Sequence, residues 1–568
     1  MKLSVAALLI LPAALVAQSP PPLPPLPPLK RAPQPTAAAI SAADLMTRMY
    51  VFADDSMMGR EAGTPGEIKA TNYLATEAKR LGLTPAGDSG GYIQYVPMMR
   101  RAFDSSSTIA VDGTVLRAGV DFVVTSRTNI PSLEKATVIF GGQWPDTNNL
   151  LTPDQVRGKI LVMTAAPVDL PTMQALQRSA GFQRLASLMN QAAVSVTVRD
   201  SLPPATVRQA MAPPANALIL QRSGPVATAV GVTVTRRAAE QILGASPETL
   251  ARGAPGRPVT MTLVYRDTPA QSFRNVVAVL PGSDRALKNT YVAIGAHLDH
   301  VGVGPNVVDH DSLHLRNAAR FAITGLVPRG QELTPTQRAR LDSIRVNVDS
   351  VRRVIPARRD SIRNGADDDG SGSVTLLEVA EAFARSNAKP KRSVLFVWHT
   401  GEEKGLLGSR WYSEHTTVPR DSIVAQLNMD MIGRGEAADY PAGGSSYLAL
   451  VGSRRLSTQL GDAVEEVNKQ QSKPLVLDYS WDAPGHLENI YCRSDHFHYA
   501  RWGIPVVFFT TALHGDYHQV TDEPQYIAYD HMTRIGQLVH DIAAHVGNMD
   551  RRPVVDGTKL DPYGACRQ

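Results

Sequence analysis

The apolar residues of this chain fall into short blocks whose period changes along its length. From residue 275 onward they alternate between two kinds. Asn275–Leu280, Tyr291–Gly295, Ser393–Trp398, Ile423–Leu427 and Pro505–Phe509 are runs of strand length, whereas Val374–Ala384 carries apolar residues at helical spacing. Such alternation predicts an α/β sheet with helices on both faces. Earlier in the chain, Gly63-Thr-Pro-Gly66 reads as a turn into a helix. Ile68, Leu74, Ala75, Ala78 and Leu81 mark its apolar face and Gly82 its end.

Two stretches break the pattern. Between 131 and 270, β-like runs such as Ala136–Phe140 and Lys159–Met163 are separated by loops, helices and proline breaks. No His, Asp and Glu cluster of ligand character accompanies them. This predicts an inserted domain without chemistry of its own. Between Val303 and Asn364 the chain turns rich in Arg and Asp, with spaced Leu, Ile and Val from Arg338 to Arg353. A surface helical hairpin is expected there, with a lid or a protein-binding arm as the alternative.

The N-terminus reads as an export signal. Lys2 precedes an apolar run from Leu3 to Val16, broken only by Ser4 and Pro12, and Leu15-Val16-Ala17 offers a cleavage site before Gln18. The run is shorter than the ~20 residues of a membrane span. A secreted or periplasmic protein is expected, with a retained anchor as the other reading. Residues 18–35 are dominated by proline and predict an extended spacer. The expected organisation is a signal peptide at 1–17, a linker at 18–40 and the first part of a main domain at 41–130. The insertion at 131–270, the rest of the main domain at 271–550 and a tail at 551–568 follow.

Composition narrows the partners. A chain of 568 residues exceeds one compact core. With 58 Lys+Arg against 53 Asp+Glu, the net charge of +5 is too dilute to argue for a nucleic-acid groove. No later segment reads as long and apolar enough for stable membrane insertion. Oligomeric state is not legible. Cys492 and Cys566 are the two cysteines. They could bridge the tail to the body, but the sequence gives no distance between them.

The candidate chemistry lies at the ends of the predicted strands. Gly295-Ala-His297-Leu-Asp299-His, Gly365-Ala-Asp-Asp368-Asp-Gly-Ser-Gly, Gly401-Glu402-Glu403 and Asn428-Met-Asp430-Met-Ile-Gly follow separate strand or loop ends, and Tyr517-His518 comes late. Open α/β sheets gather ligands beyond the carboxyl ends of their strands. Imidazole nitrogen and carboxylate oxygen are accepted zinc donors. Two His with three carboxylates serve two metals if one carboxylate bridges, and paired metals ~3.5–4 Å apart recur in hydrolytic sites. Cations would also relieve the cost of crowding these acids into one cleft.

These segments resemble the co-catalytic two-zinc peptidases of clan MH, which include secreted bacterial leucine aminopeptidases and glutamate carboxypeptidases. The likeness covers about 41–130 and 271–550 and includes Glu-Glu-Lys-Gly-Leu-Leu-Gly-Ser and Ser494-Asp-His. It implies a zinc-exopeptidase fold, with a mixed, mostly parallel sheet. The region around Gly158-Lys-Ile resembles a β-rich protease-associated domain. The resemblance further implies that His297 and Asp430 hold one zinc, that Glu403 and His518 hold the other, and that Asp368 bridges. Glu402 becomes the general base acting on a water between the metals. Asp299 orients the His297 imidazole, and Tyr517 polarises the carbonyl or stabilises the oxyanion.

The expected activity is a metallo-exopeptidase, with aminopeptidase action on peptide or protein substrates as the lead. Glutaminyl-peptide cyclotransferase or glutamate-type carboxypeptidase activity on the same fold stays open, as does a non-catalytic receptor-like module. His300, His310, His314, His399, His486, His496, His498 and His514 are read as bystanders. Asp367 and Asp369 are read as turn or hydrogen-bonding residues.

Overall fold

The computed structural model describes residues 28–124, 132–168, 172, 176, 179–213, 217–221, 230–325, 333–345, 352–353, 356–440, 442–562, 564, 566 and 568. The expected signal peptide and residues 18–27 of the spacer lie outside the described residues.

Among the described residues the main sheet has nine strands. In chain order these are β1 (Thr84–Pro85), β2 (Ile93–Val96), β3 (Phe273–Leu280), β4 (Tyr291–His297), β5 (Ser393–His399), β6 (Ile423–Met429), β7 (Tyr447–Val451), β8 (Val476–Asp478) and β9 (Val506–Thr510). Across the sheet the order is β1-β3-β5-β4-β6-β9-β7-β8, with β2 also paired to β3. Its centre, β5-β4-β6-β9, is parallel, so these four strands all point their carboxyl ends the same way. Antiparallel pairs flank that centre: β3 on β5, and β7 on β9.

Both faces are covered, which is why these strands read as nearly continuous apolar runs. Val292, Ile294 and Ala296 of β4 point into one core, which also holds Val394, Phe396 and Trp398 of β5. The helices on that face are α1 (Ala42–Phe52), α2 (Pro65–Arg80), α3 (Gly372–Arg385), α4 (Thr458–Gln470) and α5 (Tyr529–Asn548). The alternate residues Ala293, Leu395 and Val397 point the other way, against Tyr412, Trp481, Phe497 and Tyr499. Between α1, α2 and α3, the buried Arg48 is ion-paired with Glu77, Glu378 and Glu381.

A second body with its own core is built from residues 98 to 269. Its five-stranded sheet runs Phe122–Val124, Val230–Thr235, Val194–Arg199, Ile160–Ala165, Val138–Trp144. Strands that precede residue 131 join this body in further sheets: Met98–Phe103 pairs with Tyr265–Pro269, and Thr108–Val111 with Val259–Thr262.

The charged stretch after β4 is more than a helical hairpin. Val303–Asp309 and Arg359–Ile362 form an antiparallel ribbon. Helix His310–Thr324 follows its first strand directly and packs on helix Pro335–Asp342. The tail is tied back by a Cys492–Cys566 disulfide with Cα atoms 5.7 Å apart. Among the described residues no helix is long and apolar enough to cross a membrane.

Candidate metal centre

The parallel strands β4, β5, β6 and β9 deliver their following turns to one end of the sheet. His297 is the last residue of β4, and Asp430 follows β6 directly. Glu402 and Glu403 sit in the turn after β5, His518 in the loop after β9, and Asp368 in the irregular turn that leads into α3. All five predicted donors therefore meet, although 221 positions separate His297 from His518 in the sequence.

They meet as two groups that share Asp368. His297 Nε2 lies 3.2 Å from Asp368 Oδ1 and 3.5 Å from Asp430 Oδ1. His518 Nε2 lies 3.0 Å from both Asp368 Oδ2 and Glu403 Oε2. The two oxygens of Asp368 thus face different groups, as a bridging carboxylate must.

His300, read from the sequence as a bystander, stands in the second group. Its Nδ1 is 2.9 Å from Glu403 Oε1 and 3.6 Å from Asp368 Oδ2. The spacing hid it, because two residues separate it from His297 beyond the strand end. Room for its ring comes from Gly365, at φ +56°, where any Cβ would collide with the imidazole.

Among the described residues, His297 Nε2, His300 Nδ1 and Nε2, Asp368 Oδ2, Glu403 Oε1 and His518 Nε2 are buried without an aligned hydrogen bond. Polar atoms that converge so closely and remain unbonded are costly unless something binds them. The charges agree. Burial works against protonating His297, yet Asp430, Glu402 and Asp368 raise its affinity for a proton well above the ordinary histidine value. Burial likewise opposes a charge on His518, but Asp368 and Glu403 push it up to about 10. For Asp368 burial opposes ionisation, and His297 and His518 overcome it and hold the carboxyl well below its usual range. The cluster draws positive charge to its centre. His and carboxylate donors without thiolate fit divalent cations in an open site, and binding there would displace protons.

The surrounding groups hold the donors in place. His297 Nδ1 lies 3.0 Å from the backbone carbonyl oxygen of Asp299. The Asp299 carboxylate is farther from that ring, at 3.8 Å, and accepts the Glu402 backbone N–H at 3.1 Å instead. The expected orienting contact thus runs through the main chain of Asp299, and its side chain fixes the turn of Glu402. Burial raises the Asp299 carboxyl to about 8. Asp369 accepts the His297 N–H at 2.9 Å and the Gly372 N–H at 2.8 Å. Asp367 accepts the Gly433 N–H at 2.6 Å. Ser494 donates to Asp430 at 2.6 Å. Arg60, fully buried, donates to the carbonyls of Phe52, Leu298, Asn364 and Gly365, binding the turns from below. Sequence reasoning gave Arg60 no part; its remoteness from the motifs left no signal.

A cleft opens over the donors. Asp368, Glu402, Asp430 and Tyr517 line it together with Arg493 and the apolar Met431, Trp481, Ile490, Phe508, Ala512 and Leu513. Burial drives the Glu402 carboxyl well above its usual range against the pull of His297, and the neighbouring Glu403 and Asp430 push it further. Arg493 donates to the Tyr517 hydroxyl at 3.3 Å.

Residues 339–543 match the model of peptidase family M28. A leucine aminopeptidase 1 of Aspergillus fumigatus is 29% identical over 229 residues, which cover 39% of this chain and 54% of that protein. A leucine aminopeptidase 1 of Uncinocarpus reesii is 30% identical over 235 residues, again covering 39% and 54%. The chain spans about half the length of the curated relatives it matches. Among solved structures, a zinc aminopeptidase from Bacillus subtilis is 16% identical, with a TM-score of 0.42 over 93% of this chain and 100% of that one.

Proposed function

We propose, on the premise that the chain carries a peptidase family M28 domain, that it is a zinc-dependent aminopeptidase acting on peptide or protein substrates outside the cytoplasm. The observation that carries the reading is the pair of donor groups sharing Asp368. Zinc would be held by His297, Asp368 and Asp430 in one group and by Asp368, Glu403 and His518 in the other. Two such ions, when bound, supply Lewis acidity toward the scissile carbonyl and toward water.

The chain's own groups do the rest. Glu402 takes a proton from the attacking water as its oxygen forms the new bond to the carbonyl carbon. It returns that proton to the amine nitrogen when the C–N bond breaks, so the carboxylate is regenerated. The Tyr517 hydroxyl, supported by Arg493, donates a hydrogen bond to the oxygen that gains charge. Asp299 fixes the Glu402 turn through its carboxylate. The apolar lining of Met431, Trp481, Ile490 and Phe508 favours an uncharged, apolar terminal residue. The second body, 131–270 as read from the sequence, is proposed as a protease-associated domain without catalytic groups. The N-terminal segment 1–17 is proposed as the export signal.

The test joins metal analysis with a substrate panel. Two zinc ions per chain and release of apolar N-terminal residues are expected, both lost on chelation. Glu402→Gln should keep its zinc and lose about 10²–10⁴ in kcat. One zinc per chain with pyroglutamate formation would replace this reading with a cyclase, and cleavage only from carboxyl ends would replace it with a carboxypeptidase.

A further inference from the structure

We propose that the helix His310–Thr324 of the charged insertion is a brace for the loop that carries His518, and that His314 and Asn317 are positioning residues for the second donor group. The inference rests on the reading of His518 as a zinc ligand.

That loop needs holding. Ala512 has φ +72° and His518 has φ +60°, left-handed conformations that side chains with a Cβ rarely adopt. Each is unfavourable and persists where the surroundings impose it. His297 and Asp430, by contrast, are fixed by strand ends. Of the donors, His518 alone depends on this loop.

The hold is on Asp516, two residues before His518 and buried. His314 Nδ1 lies 3.0 Å from Asp516 Oδ2. Asn317 Nδ2 donates to Asp516 Oδ1 at 3.1 Å and to Thr521 Oγ1 at 3.2 Å. Thr521 closes the set by donating to Asp516 Oδ1 at 2.6 Å. Arg434 also approaches Asp516 Oδ2, at 3.6 Å. His314 and Asn317 are three residues apart and share one helix face. At Gly515 the loop passes so close that a Cβ would lie 3.1 Å from the Asn317 carbonyl oxygen.

The helix is itself anchored. His314 stacks on Tyr526 with centroids 4.0 Å apart and planes at 9°. Asp309 caps the first turn by accepting from Ser312 N–H. The His310 N–H donates to the Arg358 carbonyl at 2.9 Å, across the ribbon. Arg352 pairs with Asp309, and with Asp311 at 3.1 Å. The insertion therefore passes rigidity from its ribbon through one helix to one side of the metal centre.

The experiment is a zinc titration of the metal-stripped full chain against a chromophoric chelator, read beside steady-state kinetics. Wild type, His314→Ala with Asn317→Ala, His314→Gln and the exposed control Arg316→Ala would be compared. The double variant should keep one tight equivalent and bind the other about 10–100-fold more weakly. Its kcat should fall and be recovered by added zinc, with KM little changed. His314→Gln, which keeps a donor toward Asp516, and Arg316→Ala should both resemble wild type. Two wild-type affinities in the double variant, or equal weakening of both, would overturn the brace. Should the double variant not fold by urea unfolding, Asn317→Ala alone gives the same contrast. A wild-type protein that binds a single zinc removes the premise, and the brace with it.

Discussion

The Asp299 carboxylate accepts the backbone N–H of Glu402 at 3.1 Å. The same residue meets His297 Nδ1 through its carbonyl oxygen at 3.0 Å. One residue thus positions a proposed zinc donor with its main chain and the proposed base with its side chain. Asp299→Ala removes only the second contact. It should lower kcat about 10–100-fold while zinc content stays at the wild-type level. Asp299→Asn keeps an acceptor oxygen and should retain most activity. Steady-state rates with metal analysis decide this, and equal losses in both variants would mean that charge matters rather than the bond.

His300 offers a second test. Its Nδ1 stands 2.9 Å from Glu403 Oε1, and neither ring nitrogen has an aligned hydrogen bond. His300→Ala should weaken one zinc about 10–100-fold, whether the ring binds the ion or steers Glu403. The other zinc should bind as before, as competition against a chelator would report.

Acid should weaken the fold in part through His496. Burial lowers this ring to about 3, helped by Arg455, and neither ring nitrogen has an aligned hydrogen bond. The folded state therefore keeps it neutral, whereas the unfolded chain protonates it below about 6.5. Stability from this group is complete above that value and falls as pH drops toward the folded one. Between about pH 8 and pH 5.5 the loss is about 1.4 kcal/mol. His496→Gln lacks that term, so the difference in urea unfolding free energy between variant and wild type should shift by that amount in the variant's favour. A difference independent of pH would contradict the buried neutral ring.

The Cys492–Cys566 bridge closes a loop with a sequence separation of 74. Loop closure of that length restricts the unfolded chain and contributes about 2–4 kcal/mol. Cys566→Ser should lower the unfolding midpoint accordingly. Zinc affinity should be unaffected, because none of the donors belongs to the apolar cluster against which Cys492 and Cys566 pack. Calorimetry of both proteins under oxidising conditions measures the effect.

Much of the centre was legible because its donors follow strands, and strands announce themselves as apolar runs. His297, Glu402, Glu403 and Asp430 each trail such a run, and a parallel sheet brings their turns to one end. What lay hidden was set by contacts without sequence period. The reach of His300 depends on the left-handed Gly365 beneath its ring. The role of Asp299 came from the family resemblance, but which of its groups makes which contact depends on where the turn after β5 arrives. The insertion looked like surface because its helix shows the loop polar residues, His314 and Asn317, rather than an apolar stripe.

Arg60 carries a consequence for how the molecule comes into being. Its guanidinium grips carbonyls at residues 52, 298, 364 and 365, and the last donor arrives only at 518. A donor set stitched from such distant parts stays incomplete in any half-finished chain. The proposed metal centre therefore forms only once the whole fold has closed.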